Sequence, residues 1–256
     1  MTHRFVSLAL LAAASITFAD PVVIIDTADT AFRPGFPVYT EDPVTGKWTV
    51  DIDVEEKAGS TCCGIRVFVE STDEIVIERI NVTGSTPFGS SFMQLIVRGD
   101  ELSGSITSVE SVNWIDPGFG RNPTPVDLTI DLHPTLGSGR IGDGVDSNPT
   151  TIESHNVFRL MARSLEADVV TLPGGDIRTI DIDGDIGKTT NEVAISADDD
   201  ILDIRAKNIY ADIDATNNVE SIRVFGSGSD TVAATDAVFD GTLDCDTMNN
   251  GLGLRV

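Results

Sequence analysis

The sequence predicts an all-β protein, with a parallel β-helix or β-solenoid body and an N-terminal β end domain. Three observations predict it: apolar and polar residues alternate with period two, clusters of turn residues separate the alternating runs, and an apolar triplet recurs about every twenty residues. The expected division is a signal peptide at 1–19, a β-rich end domain or first coils at 20–90, a solenoid body at 91–229, and a cap or truncated coil at 230–256.

The first residues have the pattern of a secretory leader. Arg4 precedes an apolar run from 5 to 16, which is too short to cross a membrane and has the length of a signal-peptide core. Thr17 and Ala19 are small enough for the subsites of a signal peptidase. We therefore expect cleavage between Ala19 and Asp20, and a protein that is secreted or held at the cell surface.

Composition excludes several classes of protein. The chain has a formal net charge of −24, and removal of residues 1–19 takes away Arg4 and no acidic residue, which leaves −25. So acidic a surface repels nucleic acid and anionic lipid. Hydrophobic residues make up 41% of the chain, which is enough to form a core. No stretch after the leader is long and apolar enough to predict a membrane span.

Period-two alternation dominates the mature chain, and it predicts many short strands with one face turned to water. The clearest runs are 48–54, 64–70, 74–84 and 126–132. The spacing Φ-x-x-Φ-x-Φ recurs with starts 20, 24 and 18 residues apart, and a period near twenty is typical of a solenoid. The triplets are Val157/Leu160/Ala162, Ile177/Ile180/Ile182, Ile201/Ile204/Ala206 and Val219/Ile222/Val224.

Earlier triplets are spaced more closely, by 15 and 17 residues, which indicates either shorter turns or a separate end domain. They are Ile77/Ile80/Val82, Phe92/Leu95/Val97 and Val109/Val112/Trp114.

The segment 154–167 admits two interpretations. Val157, Leu160, Met161 and Leu165 have helical spacing, and Ser154 is a suitable N-cap. The competing interpretation is two strands joined by a corner, because five apolar positions match a later segment at offsets 0, 2, 5, 7 and 9. These are Leu160, Ala162, Leu165, Ala167 and Val169, matched by Ile204, Ala206, Ile209, Ala211 and Ile213. The sequence leaves both alternatives open.

The phrases "IRTIDIDGDIG", "ILDIRAKNIYADIDA" and "VESIRVFGSG", with "LIVRGDELSGSI" before them, resemble the coils of large secreted β-helix repeat proteins of environmental bacteria. The resemblance covers about 90 to 225. It implies a fold and an export route, and it assigns no active-site residues to this chain. A leucine-rich repeat shares the opening spacing but requires an asparagine ladder, and Asp185, Ile209 and Ser227 occupy those places.

Aspartates interrupt the isoleucines of "GGDIRTIDIDGDIG". Asp181, Asp183, Asp185 and Glu192 have the spacing of positions 1, 3, 5 and 12 of an EF-hand, but Ile186 stands where that loop requires glycine. We expect these aspartates to form a solvated outer face. A looser calcium site remains an alternative, as does "GSGSDTV" at 226–232, which has one copy where a calcium-binding repeat needs several.

No metal ligands or catalytic residues are assigned from the sequence. Cys62 and Cys63 are adjacent and Cys245 is distant, which allows one bridge to Cys245 or a strained bridge between neighbours. Carboxylates at 198–200 are consistent with a carbohydrate-active enzyme, although such runs are also turn chemistry. We expect a non-catalytic surface, matrix or adhesive protein whose partners are extracellular glycans or surface proteins. The alternatives are a polysaccharide lyase or hydrolase, and a calcium-stabilised binding module.

Overall fold

A computed structural model describes residues 20–25, 27–57, 63–69, 74–86, 93–99, 105–132, 139–144, 150–227 and 236–248. Within these ranges the secondary structure is strand and turn with no helix, and the strands form one sheet. The expectation of an all-β protein is confirmed. Residues 1–19, for which a leader is predicted, lie outside the described residues. None of the described residues forms a helix that could cross a membrane.

The strand bounds follow the alternating runs. In chain order the strands are β1 Pro21–Ile25, β2 Thr30–Phe32, β3 Val38–Glu41, β4 Trp48–Glu56, β5 Cys63–Val69, β6 Glu74–Thr86, β7 Met93–Arg98, β8 Ser105–Trp114, β9 Asn122–Pro123, β10 Val126–Asp131, β11 Arg140–Ile141, β12 Thr151–Ser154, β13 Asn156–Ala162, β14 Ser164–Leu165, β15 Asp168–Thr171, β16 Ile177–Ile182, β17 Asp185–Ile186, β18 Val193–Ala197, β19 Ile201–Ala206, β20 Asn208–Val219, β21 Ile222–Val224, β22 Phe239–Asp240 and β23 Leu243–Met248.

Most strands pair in parallel and fall into three ladders. The first ladder runs β5, β7, β10, β13, β16, β19, β21. The second ladder runs β4, β6, β8, β11, β14, β17, β20, β22. The third ladder begins with the later parts of the long strands β4, β6 and β8. It continues through β12, β15, β18, β20 and β23. Antiparallel strands lie at the N-terminal end, where β1 pairs with β5, and β2 and β3 pair with β4. The domain boundaries expected at 20–90 and 91–229 remain predictions.

The apolar triplets stack in register on the first ladder. Ile180 pairs with Leu160 on one side and Ile204 on the other, and all three side chains have 0% exposure. Each stacking step is about 4.8 Å, so every inward side chain contacts its counterparts directly. One cluster of buried apolar residues extends from Val23 to Val224.

Two sequence alternatives are resolved. Residues 154–167 contain the strands β13 and β14 and no helix. The strand β13 pairs with β16, and β14 pairs with β17. A helix in this segment would leave β16 and β17 without these neighbours. The closely spaced early triplets are not short turns. Ile77 pairs with Val109 across β6 and β8, whereas Leu95 lies on a different ladder, between Ile65 and Leu128.

A bridge from Cys63 to Cys245 is excluded by the ladder order. Cys245 is a free thiol, and it lies on β23 at the far end of the third ladder. Cys63 lies on β5, six ladder steps away, which corresponds to about 29 Å at the usual strand spacing. A disulfide needs Cα atoms about 4.4–6.8 Å apart. Cys62 lies outside the described residues.

Candidate functional site

The aspartates singled out in the sequence lie at outward positions of the first and second ladders. Asp181 is on β16 between Ile180 and Ile182, which are both fully buried. Its Oδ2 lies 3.5 Å from Arg205 Nη1 on the neighbouring β19. Asp185, on β17, accepts a hydrogen bond from Asn208 Nδ2 at 2.8 Å. Each carboxylate therefore has a partner on the next strand.

The remaining members of that acidic set are spread apart. Asp183 is exposed in the turn between β16 and β17, and its backbone N–H donates to Ala162 O at 3.1 Å. Glu192 is exposed immediately before β18, which belongs to the third ladder. The elements that carry these acidic residues therefore belong to three different ladders.

A stack of Asp and Asn residues, not recognised in the sequence, lies where the chain enters the first ladder. Asn156 Nδ2 donates to Asp127 Oδ1 at 2.7 Å, and the N–H of Asp176 donates to Asn156 Oδ1 at 3.1 Å. The N–H of Asp200 donates to Asp176 Oδ1 at 3.3 Å. Asn218 donates to Asp200 Oδ1 from both its N–H, at 3.1 Å, and its Nδ2, at 2.8 Å. We call these five residues the Asx stack.

The Asx stack satisfies backbone groups that the turn removes from the ladder. A turn interrupts strand pairing, and partly buried N–H groups without partners destabilise the fold. A side-chain oxygen of the preceding stack member accepts the N–H of Asp176, Asp200 and Asn218. The step from Asn156 to Asp127 joins two side chains. The sequence does contain the signal, because an Asp or Asn stands immediately before the first apolar residue of each triplet from Val157 onward.

Three carboxylates converge beside this stack, in what we call the acidic corner. One oxygen from each of Asp176, Asp199 and Asp200 lies within 4.8 Å of the others, and all three side chains are partly exposed. Carboxylate oxygens at this separation suit a hard cation such as Ca²⁺. Each carboxylate also accepts a hydrogen bond from the protein, since Asn217 Nδ2 donates to Asp199.

Asp198 does not belong to the acidic corner, although the sequence groups it with its neighbours. Its Oδ2 accepts the N–H of Gly174 at 2.6 Å, and its own N–H donates to Thr171 Oγ1 at 2.9 Å. These contacts cross from one turn to the next. The interpretation of residues 198–200 as turn chemistry accounts for them.

A groove runs along the corner between the first and second ladders, and we call it the corner groove. It encloses about 490 Å³ and carries three cations and three carboxylates: Arg163, Lys188, Lys207, Glu166, Asp183 and Asp185. Lys188 Nζ lies 2.5 Å from Glu166 Oε2. Because the charges balance, the groove has no strong preference for an ion of either sign.

Gly184 forms the floor of the corner groove because the backbones approach closely there. Its N–H donates to Arg163 O at 2.8 Å, and its O accepts the N–H of Lys207 at 2.8 Å. A Cβ at this position would lie 2.5 Å from Arg163 O. Only glycine fits the corner without a shift of the backbone.

His155 is a structural residue at the N-terminal side of the Asx stack. Burial lowers the pKa of its imidazole below the usual range, and the opposing effect of Asp127 is smaller. Its Nδ1 accepts the N–H of Val126 at 3.1 Å, and its ring packs edge-to-face on Trp114 with centroids 5.0 Å apart. This geometry requires neutral imidazole, because a protonated Nδ1 cannot accept a hydrogen bond.

The three ladders make this an all-β protein with a parallel sheet of many strands. The Asx stack and the corner groove lie at the turns of that sheet. The chain matches no protein-family model, no curated protein and no solved structure.

Proposed function

We propose that the protein is a secreted, non-catalytic β-solenoid with a structural or adhesive role outside the cell. The observation that carries the proposal is the repeated crossing of the three ladders in one order, by β13, β14 and β15 and then by β16, β17 and β18. One such crossing is a coil of the solenoid. Coils that stack by register produce a long, rigid surface, which suits a structural or adhesive protein.

The environment of the outward carboxylates supports a non-catalytic role. Asp181, Asp185 and Asp203 each contact a side chain of the next coil, namely Arg205, Asn208 and Arg223. Cross-strand pairs of this kind stabilise a sheet. A catalytic carboxylate must instead be free to reach a proton or an atom of the substrate. The outer faces thus serve to hold one coil on the next.

The export half of the proposal is tested with the full chain. Expression with residues 1–19 in a bacterial secretory host, followed by cell fractionation and intact-mass analysis, is expected to give an extracellular or surface-bound product that begins at Asp20. A cytoplasmic product with an intact Met1 contradicts export.

The non-catalytic half is tested with a panel of anionic and neutral polysaccharides incubated with the purified protein. We expect no release of reducing ends or of unsaturated products over many hours. Steady product release would establish the carbohydrate-active alternative in place of the structural role.

A further inference from the structure

A second pocket lies at the N-terminal end of the sheet, away from the corner groove and the acidic corner. It encloses about 220 Å³, below the roughly 300–1,000 Å³ of pockets for drug-sized ligands. Its walls come from the end of β2, from β4 and β6, and from the segment around β9. They include Arg33, Glu56, Ser85, Thr86, Arg121 and Asn122.

Glu56 is the unusual residue of this pocket. The inward positions of β4 are Trp48, Val50, Ile52 and Val54, and the next inward position is Glu56, which is only 5% exposed. Thr30, 1% exposed, is its cross-strand neighbour. Within the described ranges, Glu56 Oε1 and Thr30 Oγ1 have no hydrogen-bond partner. A buried carboxylate oxygen without a donor is strongly unfavourable, so this position serves something besides packing.

Two arginines also line this pocket, and neighbouring acidic residues hold both of them in place. Arg121 donates to both oxygens of Asp53, at 2.7 and 3.3 Å, and Arg33 Nη2 lies 2.9 Å from Glu55 Oε2. Both guanidinium groups also donate to Ser85 Oγ, at 3.2 and 3.4 Å. The Nε atoms of both arginines are buried and have no hydrogen-bond partner within the described residues. Arg33 Nε lies 4.0 Å from Asp53 Oδ1, which is too long for a hydrogen bond.

The pocket is therefore lined by groups of both charges, two arginines and two glutamates. A cation that neutralises Glu56 is repelled by Arg33 and Arg121, and an anion that suits the arginines is repelled by Glu55 and Glu56. A neutral hydroxyl group donates to a carboxylate and accepts from a guanidinium, so it satisfies both. Several hydroxyl groups on one small ring match the size and the chemistry of this pocket.

We propose that this pocket binds a single neutral sugar ring, either as a free monosaccharide or as one unit of an extracellular glycan. This inference rests on the proposed adhesive role, and it names the class of ligand to which the protein would adhere. Glu56 accepts hydrogen bonds from ring hydroxyls, the arginines donate to them, and Asn122 at the exposed rim sets which ring is accepted.

The test measures binding of neutral monosaccharides and of their oligosaccharides by saturation-transfer NMR and calorimetry, with the full mature chain. We expect at least one neutral sugar to bind, and Glu56→Gln to weaken it at least tenfold, because the amide replaces one strong acceptor with a donor. Asn122→Ala is expected to weaken it less. Glu153→Gln, on β12 and outside the pocket, is the matched control and is expected to bind normally.

Stability measurements keep the test independent of folding. Glu56→Gln removes a buried charge, so its melting temperature is expected to equal or exceed that of the wild type, and loss of binding then reflects the pocket. Stronger binding of oligosaccharides than of monosaccharides identifies a glycan unit, and equal binding identifies a free sugar. The proposal is overturned if no neutral sugar binds, which leaves water as the occupant, or if Glu56→Gln binds normally. Product release from glycans is a different outcome, and it contradicts the non-catalytic role.

Discussion

Asn218 donates two hydrogen bonds to a single oxygen of Asp200, from its backbone N–H at 3.1 Å and from its side chain at 2.8 Å. The two residues precede Ile201 on β19 and Val219 on β20, which pair with each other and are both fully buried. The polar contact at the turn and the apolar contact inside it therefore enforce the same register. A slip of one residue would break both at once.

Removal of the acceptor at Asp200 is expected to destabilise the protein. Asp200→Ala leaves two donors of Asn218 without this partner and should lower the free energy of unfolding by about 1–3 kcal/mol in chemical denaturation. Asp200→Asn keeps an oxygen and removes a negative charge beside Asp176 and Asp199, so its stability should equal or exceed that of the wild type. Exposed Glu192→Ala is the control, within about 0.5 kcal/mol. Equal stability of Asp200→Ala and wild type would show that the Asx stack contributes nothing.

Truncation of an inward triplet residue is expected to cost more than truncation of its outward neighbour. Ile180→Ala opens a cavity between Leu160 and Ile204 and should lower the free energy of unfolding by about 2–5 kcal/mol. Thr179→Ala, one residue earlier on the outer face, should change it by less than about 0.5 kcal/mol. Similar losses for the two variants would contradict the assignment of inward and outward faces.

Much of the C-terminal half of the sheet was predictable from the sequence, because the alternation of period two and the triplet spacing act together there. Val157, Ile177 and Ile201 were aligned by spacing alone, and they are paired in the structure. The N-terminal half was not predictable in this way. Longer connections separate Leu95 from Leu128, so the spacing of triplets along the chain no longer equals the spacing of paired strands.

The polar sites were less predictable, for a physical reason. A sequence shows that Asp200 is polar, but whether its oxygen meets water or the N–H of Asn218 depends on the register of the next strand. Glu56 was missed because alternation assigns charge to the outer face, whereas this glutamate occupies the inward position after Val54. Exceptions to a local pattern are found where a site competes with packing.

A methyl group at the floor of the corner groove is expected to disturb the fold. Gly184→Ala places a Cβ 2.5 Å from Arg163 O, a backbone atom that cannot move independently, and should lower the free energy of unfolding by about 1–3 kcal/mol. Gly64→Ala, on β5, meets no atom within 4 Å and is the matched control, with an expected change below about 0.5 kcal/mol. If both substitutions are neutral, the close approach of Arg163 and Gly184 is not required for stability.

Stability is expected to fall as the pH drops below the ordinary pKa of histidine. The pKa of His155 is lowered by burial in the folded protein, so the unfolded chain binds a proton first as the pH falls. The contribution of neutral His155 is complete above the unfolded pKa and is lost progressively toward the lower folded pKa. NMR titration of the imidazole, assigned with a His133→Gln variant, checks this. A pKa at or above about 6.5 for His155 would contradict the burial argument.

Calcium and magnesium are expected to stabilise the protein about equally, and only slightly. Both ions screen a chain of net charge −24. The carboxylates of the acidic corner already accept hydrogen bonds from Asp200 N–H, Asn217 and Asn218. A true calcium site would instead add about 2.7 kcal/mol at a hundredfold excess over Kd, and magnesium would not match it. Melting curves with each ion decide between the two. A large calcium-selective rise that Asp199→Asn abolishes would identify the acidic corner as a ligand set, and a rise abolished by Asp183→Asn would place the ligands on the outer face beside β16.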